Sequence, residues 1–309
     1  MRTRRKTFST AKVAAALLLI VIVMGVIYAG NHFFRLQGQR EQEDKENAMV
    51  GSLIAAMEAG DVDEDEYKNM VSFFKGFKKE ASFDYKRKYE NLYVENDFNF
   101  KEPQEKTCYL TFDDGPDNYV TPQVLDTLKK YNVKATFFTI YNGSEQGTEL
   151  YKRIVREGHT IAAHTYTHDY TKVYESVDSY LDDFDKISSH IEKTTGVKPE
   201  IFRFPGGSIN YFNASLYRQI SGEMIRRGYV YYDWNISAED AVRAGVSAAD
   251  ITRYALSGDS SMQKKIVLMH DGPGHQNTAE ALPGIIEGLK KQGYKFAPLS
   301  KEVMPVVFS

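Results

Sequence analysis

Cysteine is almost absent. Cys108 is the only one in 309 residues, so no intramolecular disulfide forms and the fold is held by its core alone. Cys108 stands in an apolar run beside Tyr109 and Leu110, without a neighbouring base, which argues for a packed strand residue over a reactive nucleophile. Charge of one sign is lacking too. The net charge of −3 gives no reason to expect nucleic acid as a partner. Tryptophan occurs once, at Trp234. General disorder is excluded by 42% hydrophobic residues and 13% aromatics. The length suits one medium domain plus something smaller.

Long apolar runs are also scarce, and the exception lies near the N-terminus. Residues 13–29 form an unbroken stretch of about 17 apolar residues, close to the lower limit for spanning hydrocarbon. Arg2, Arg4, Arg5, Lys6 and Lys12 precede it with no acid among them. That asymmetry places the N-terminus in the cytoplasm and everything after the run outside. The run exceeds a usual signal-peptide core and no clean A-x-A site follows, so residues 1–30 are expected to be a basic tail and a retained signal anchor. Cleavage would instead make the protein secreted. Residues 31–105 are charged and glycine-poor, with acidic runs such as 61–66, and read as an extracytoplasmic stem. Val71, Phe73, Phe74 and Phe77 among lysines suggest an amphipathic helix within it. Fully extended, such a stem reaches ~230 Å, a reach that suits a cell-wall substrate.

From residue 106 onward the pattern alternates. Strands are expected at 107–112, 134–141, 159–163, 200–204, 228–232, 265–269 and 294–297, and helices at 121–131, 148–157, 177–194, 211–226, 248–256 and 279–291. Strand and helix in alternation call for a parallel α/β sheet with right-handed crossovers, closed as a barrel or open. The strands end in polar clusters: Asp113-Asp114-Gly115, His164-Thr165-Tyr166-Thr167-His168, Arg203-Phe204-Pro205-Gly206-Gly207, Asp233-Trp234 and Leu268-Met269-His270. C-terminal strand ends are where β/α barrels carry their active sites, so a seven-stranded barrel is expected. Side-by-side acids and paired histidines there indicate a metal-dependent hydrolase.

In these clusters, taken in order over about 107–297, the chain resembles the polysaccharide deacetylases of carbohydrate esterase family 4, the NodB-homology domain. The resemblance implies an irregular (β/α)7 barrel, a divalent metal and hydrolysis of N-acetyl groups on sugar polymers. It also implies that Asp114 binds the metal and Asp113 is the general base; a carboxylate near a metal-bound water is suited to take its proton. His164 and His168 are spaced i, i+4, which puts both imidazoles on one side of a helical turn, with Asp114 as third ligand. Zinc is the default for such a set, and cobalt, nickel and iron fit the same ligand types.

By the same resemblance His270 is the general acid that protonates the leaving amine. Asp233 is expected to hold its tautomer, and Arg203 to pair with Asp113. Trp234 is a candidate wall for a sugar or an acetyl methyl, Leu268 a further substrate contact, and the backbone N–H of Gly206 a donor to the oxyanion. The family's usual pattern places an aromatic after Arg-x-Pro, where this chain has Gly206 and Gly207, so the sugar subsite departs from it. Asp271 and His275 lie near enough to line the cleft, and His159 and His190 read as structural. The expected activity is N-deacetylation of an extracytoplasmic glycan polymer, with N-acetylglucosamine in peptidoglycan as the leading substrate. Chitin-like chains, poly-N-acetylglucosamine, N-acetylmuramic acid and O-acetyl esters are alternative substrates. A membrane-tethered glycan-binding protein without turnover is the alternative of another class. It is disfavoured because ligands, base and acid are all present.

Overall fold

The computed structural model describes residues 88–308 other than 244 and 260. The expected membrane anchor and the amphipathic stretch of the stem lie outside the described residues. Among those described, no helix is long and apolar enough to cross a membrane.

Among the described residues fifteen elements follow in the order β1 (Thr107–Asp113), α1 (Val120–Tyr131), β2 (Thr136–Thr139), α2 (Glu145–Arg156), β3 (Thr160–Ala163), α3 (Tyr170–Val173) and α4 (Val177–Thr195). They continue as β4 (Ile201–Phe202), α5 (Tyr217–Arg226), β5 (Val230–Tyr231), β6 (Ile236–Ser237), α6 (Ala248–Ala255), β7 (Lys264–His270), α7 (Gln276–Lys291) and β8 (Lys295–Phe296). The strands make one parallel sheet in the order β5-β4-β3-β2-β1-β7-β6, and β8 pairs with β1. β7 occupies one edge of β1 along its whole length, so β2 and β8 share the other edge, at 111–113 and 107–108 respectively. Apart from Thr107, β1 is buried at every position, as a central parallel strand covered on both faces must be.

The expected barrel is an open curl. β5 and β6 at its two ends do not pair, and the C-terminal segment crosses the seam. There Asp233 N–H donates to the Val306 carbonyl at 2.8 Å, and the Tyr232 hydroxyl donates to the carbonyls of Ser300 and Val303. β6 is too short to show a period and had no counterpart among the expected strands.

Local chemistry sets the helix ends. The Ser144 and Ser176 hydroxyls accept from the third backbone N–H of α2 and α4, and Gly196 ends α4 in the left-handed region at φ 75°. The core joins the paired rings of Phe112 and Phe137 to an aromatic group of Phe184, Phe202, Phe204, Tyr229 and Tyr231. Cys108 is fully buried, and burial pushes its thiol far above its ordinary value, which agrees with a structural residue. Part of the segment that composition assigned to the stem also enters the core, because Leu92, Val94 and Phe98 are buried.

Candidate active site

The site forms where β1, β3, β4 and β7 end. Asp113 closes β1 beside His270 at the end of β7, and their Cα atoms are register partners. Asp114 follows at φ 68°, in the left-handed conformation. Its Oδ1 lies 3.1 Å from His168 Nε2 and 3.4 Å from His164 Nε2.

Three features of this group fit a divalent cation. The ligand atoms of Asp114, His164 and His168 lie within 4.8 Å of one another. Asp114 Oδ1 is buried with no well-aligned hydrogen-bond donor. His164 Nδ1 is 2.8 Å from the Arg203 carbonyl, which only accepts, so the proton sits on Nδ1 and Nε2 presents its lone pair. Burial works against the charged form of Asp114, yet the close approach and charge of His168 and the charge of His164 hold its carboxyl well below the usual range. Burial lowers the His164 imidazole. It opposes charge on His168 as well, but the Asp114 carboxylate raises that group overall.

The two histidines do not share a helical turn. His164 follows β3, and residues 164–169 run as an irregular loop with His168 at φ 53°. Asp183 of α4 holds that loop, accepting from Tyr166 N at 2.6 Å, Thr167 N at 3.0 Å, Thr167 Oγ1 at 2.7 Å and Thr165 Oγ1. Sequence reading missed Asp183, although an acid on the apolar face of α4, between Tyr180 and Ile187, was the available signal.

Arg203 is fully buried and pairs with Asp113, Nη1 to Oδ1 at 2.8 Å, as expected. Its remaining bonds go to Thr111 Oγ1 and to the carbonyls of Tyr232 and Asp233, and its guanidinium lies over the Phe138 ring. Every branch is constrained, so the Asp113 carboxylate is aimed.

Asp233 does not partner His270. It is buried, accepting from Ser208 N at 2.8 Å, Ser208 Oγ at 2.5 Å and Phe308 N at 2.7 Å, and so ties the 203–208 turn to the C-terminal segment. The acid at His270 is Asp240. Its Oδ1 is 2.8 Å from His270 Nδ1, and its Oδ2 accepts from His270 N and Thr278 Oγ1, both at 2.8 Å. The β6–β7 register, Ser237 with Leu268, carries Asp240 abreast of His270. Burial opposes protonation of His270, but the Asp240 bond and charge, with Asp113 and Asp114 nearby, raise it to about 9. The His275 ring stacks on that of His270 at 5.1 Å, with Nδ1 3.9 Å from Asp240 Oδ2.

Asp271 is fully buried. Its Oδ2 accepts from Thr121 Oγ1 at 2.6 Å and its Oδ1 has no partner. Burial, reinforced by Asp114 and Asp113, raises its carboxyl to about 7. Leu268 is buried on β7, whereas Trp234 is half-buried against Phe308. Gly206 has φ 76°, and a Cβ there would lie 2.9 Å from the ring of Tyr170, which fills the space beside it.

The sequence model of the polysaccharide deacetylase family matches residues 100–221. A peptidoglycan-N-acetylglucosamine deacetylase of Bacillus cereus is 36% identical over 202 residues, which are 64% of this chain and 88% of that protein. The chain belongs to the polysaccharide deacetylase family. A second Bacillus cereus protein of the same name is 34% identical over 209 residues, covering 66% of this chain and 72% of that one. The solved catalytic domain of a peptidoglycan N-acetylglucosamine deacetylase from Eubacterium rectale superposes on the fold with a TM-score of 0.64. It is 34% identical and covers 68% of this chain and 96% of that domain. As a polysaccharide deacetylase, the protein is a metal-dependent hydrolase of acetylated sugar polymers, and the open parallel curl is the architecture of that family.

Proposed function

We propose that this deacetylase removes N-acetyl groups from N-acetylglucosamine residues of peptidoglycan outside the cytoplasm, with zinc held by Asp114, His164 and His168. The observation that carries the reading is the convergence of three constrained groups. The Asp114 oxygen faces two imidazole nitrogens, Arg203 holds Asp113, and Asp240 holds His270. The names of the relatives support the substrate. The basic N-terminus and apolar run at 13–29 support the location, with the chain tethered to the membrane.

Zinc bound there supplies a Lewis acid that polarises the acetyl carbonyl and makes water acidic. The chain does the rest. Asp113, aimed by Arg203 through Oδ1, takes the proton from the attacking water. The Gly206 N–H is the donor we assign to the developing oxyanion. His270, with Nδ1 engaged by Asp240, delivers a proton from Nε2 to the leaving nitrogen. An amine leaves poorly unless protonated, and a histidine raised to about 9 is charged at neutral pH.

The test is acetate release from purified peptidoglycan and from N-acetylglucosamine oligomers by the full-length zinc-supplemented protein, with Asp113→Asn as control. Acetate that disappears in the control establishes the reaction. Release from neither substrate, with zinc bound, overturns this reading.

A further inference from the structure

We propose that Tyr170, Phe212 and Tyr211 form an aromatic subsite on which the glycan chain stacks as it leaves the reacting sugar. The proposal rests on the deacetylase reading of the adjoining metal group and names where the polymer runs.

The rings form a continuous series that starts at a ligand of that group. Tyr170 packs edge-on against the His168 imidazole at 5.3 Å between centroids, Phe212 meets Tyr170 at 5.2 Å, and Tyr211 meets Phe212 at 5.5 Å. Exposure rises along the series. Tyr170 is half-buried, whereas Phe212 is 46% and Tyr211 93% exposed. Glycine at 206 makes the inner end possible, because a Cβ there would lie 2.9 Å from Tyr170 Cε1 and 3.2 Å from its hydroxyl. An aromatic supplied from α3 therefore stands beside the Arg-x-Pro turn where the turn itself presents no side chain.

The outer rings sit on a braced loop. Asn210 donates to the carbonyls of Pro205 and Gly207, and fully buried Asn213 donates to those of Gly207 and Ser208. Asn210 Oδ1 also accepts from Phe212 N at 2.9 Å. Water disfavours two adjacent exposed rings, and bracing them removes the entropy a mobile loop would lose on binding. Uncharged rings with open faces suit the apolar C–H faces of pyranose units, and their place beside His168 selects a sugar linked to the one being deacetylated.

The test compares acetate release from the N-acetylglucosamine dimer and hexamer by the full-length zinc-supplemented protein and by Tyr211→Ala/Phe212→Ala. The expected result is a fall of about tenfold in the hexamer-to-dimer ratio of kcat/KM, carried by KM, with Tyr211→Trp/Phe212→Tyr restoring the ratio. An unchanged ratio overturns the proposal, as does a fall in oligomeric mass on substitution, which would make the rings a contact between copies. Calorimetric binding of the hexamer to Asp113→Asn protein, with and without Tyr211→Ala/Phe212→Ala, separates this idea from the proposed reaction. Hexamer binding that needs the rings, in a protein whose parent releases no acetate, sustains the subsite and removes the reaction. Acetate release from the hexamer that is indifferent to the rings does the reverse.

Discussion

The Asp240 carboxylate accepts from both the ring and the backbone of His270, with Nδ1 and N each 2.8 Å away. The pair raises His270 to about 9, so the imidazolium we propose as the proton donor persists through neutral pH and is lost above that value. The rate should therefore fall as pH rises through about 9. Asp240→Asn removes the raising partner, and the basic limb of the kcat/KM profile should move down toward the ordinary imidazole value of ~6.5, with a rate loss on the order of 100-fold at neutral pH. Asp233→Asn should lower thermal stability through lost bonds to Ser208 and Phe308 and leave the position of that limb alone. A limb that moves with Asp233 and not with Asp240 would reverse the assignment.

Metal content separates ligand from base. Asp114→Ala and His168→Ala should lose zinc, whereas Asp113→Asn should keep zinc and lose turnover. Metal analysis beside acetate release decides this, and zinc lost from Asp113→Asn but kept in Asp114→Ala would exchange the two roles.

Asp183 touches no proposed ligand atom, yet four donors of the loop carrying both histidines converge on it. Asp183→Ala should weaken zinc binding by roughly 10- to 100-fold, as removing an orienting partner of a metal ligand usually does. Competition against a chelator of known affinity measures it. Unchanged affinity would mean that the loop holds its shape without the carboxylate.

A Cβ at residue 115 would lie 2.4 Å from both carboxylate oxygens of Asp271, which is fully buried and held through Oδ2 by Thr121. Gly115→Ala should therefore destabilise the fold by about 1–3 kcal/mol, read by denaturant unfolding. A loss within about 0.5 kcal/mol would show that the Asp271 side chain moves aside.

Much of the site was legible before the fold because strand ends are local events. An apolar run that stops at Asp113-Asp114 or at His270 announces itself in the sequence, as does an arginine near the end of the 200–204 run. The i, i+4 spacing of His164 and His168 correctly grouped the two rings but suggested the wrong backbone. A spacing specifies proximity on a helix only if a helix forms, and here Asp183 supplies the hydrogen bonds that a helical turn would otherwise make.

The sequence by itself determined the alternating α/β architecture, the burial of Cys108 and the identity of the residues at the strand ends, since period and composition act over neighbouring positions. Tertiary structure decided which groups meet. Asp233 and Asp240 are equally acidic in the sequence, and only the two-residue pairing of β6 with β7 brings Asp240 to His270 while Asp233 turns toward Ser208. Only packing of α3 beside the 203–208 turn sets Tyr170 where Gly206 leaves space. Both outcomes depend on contacts between segments 30 or more residues apart, which no local periodicity encodes.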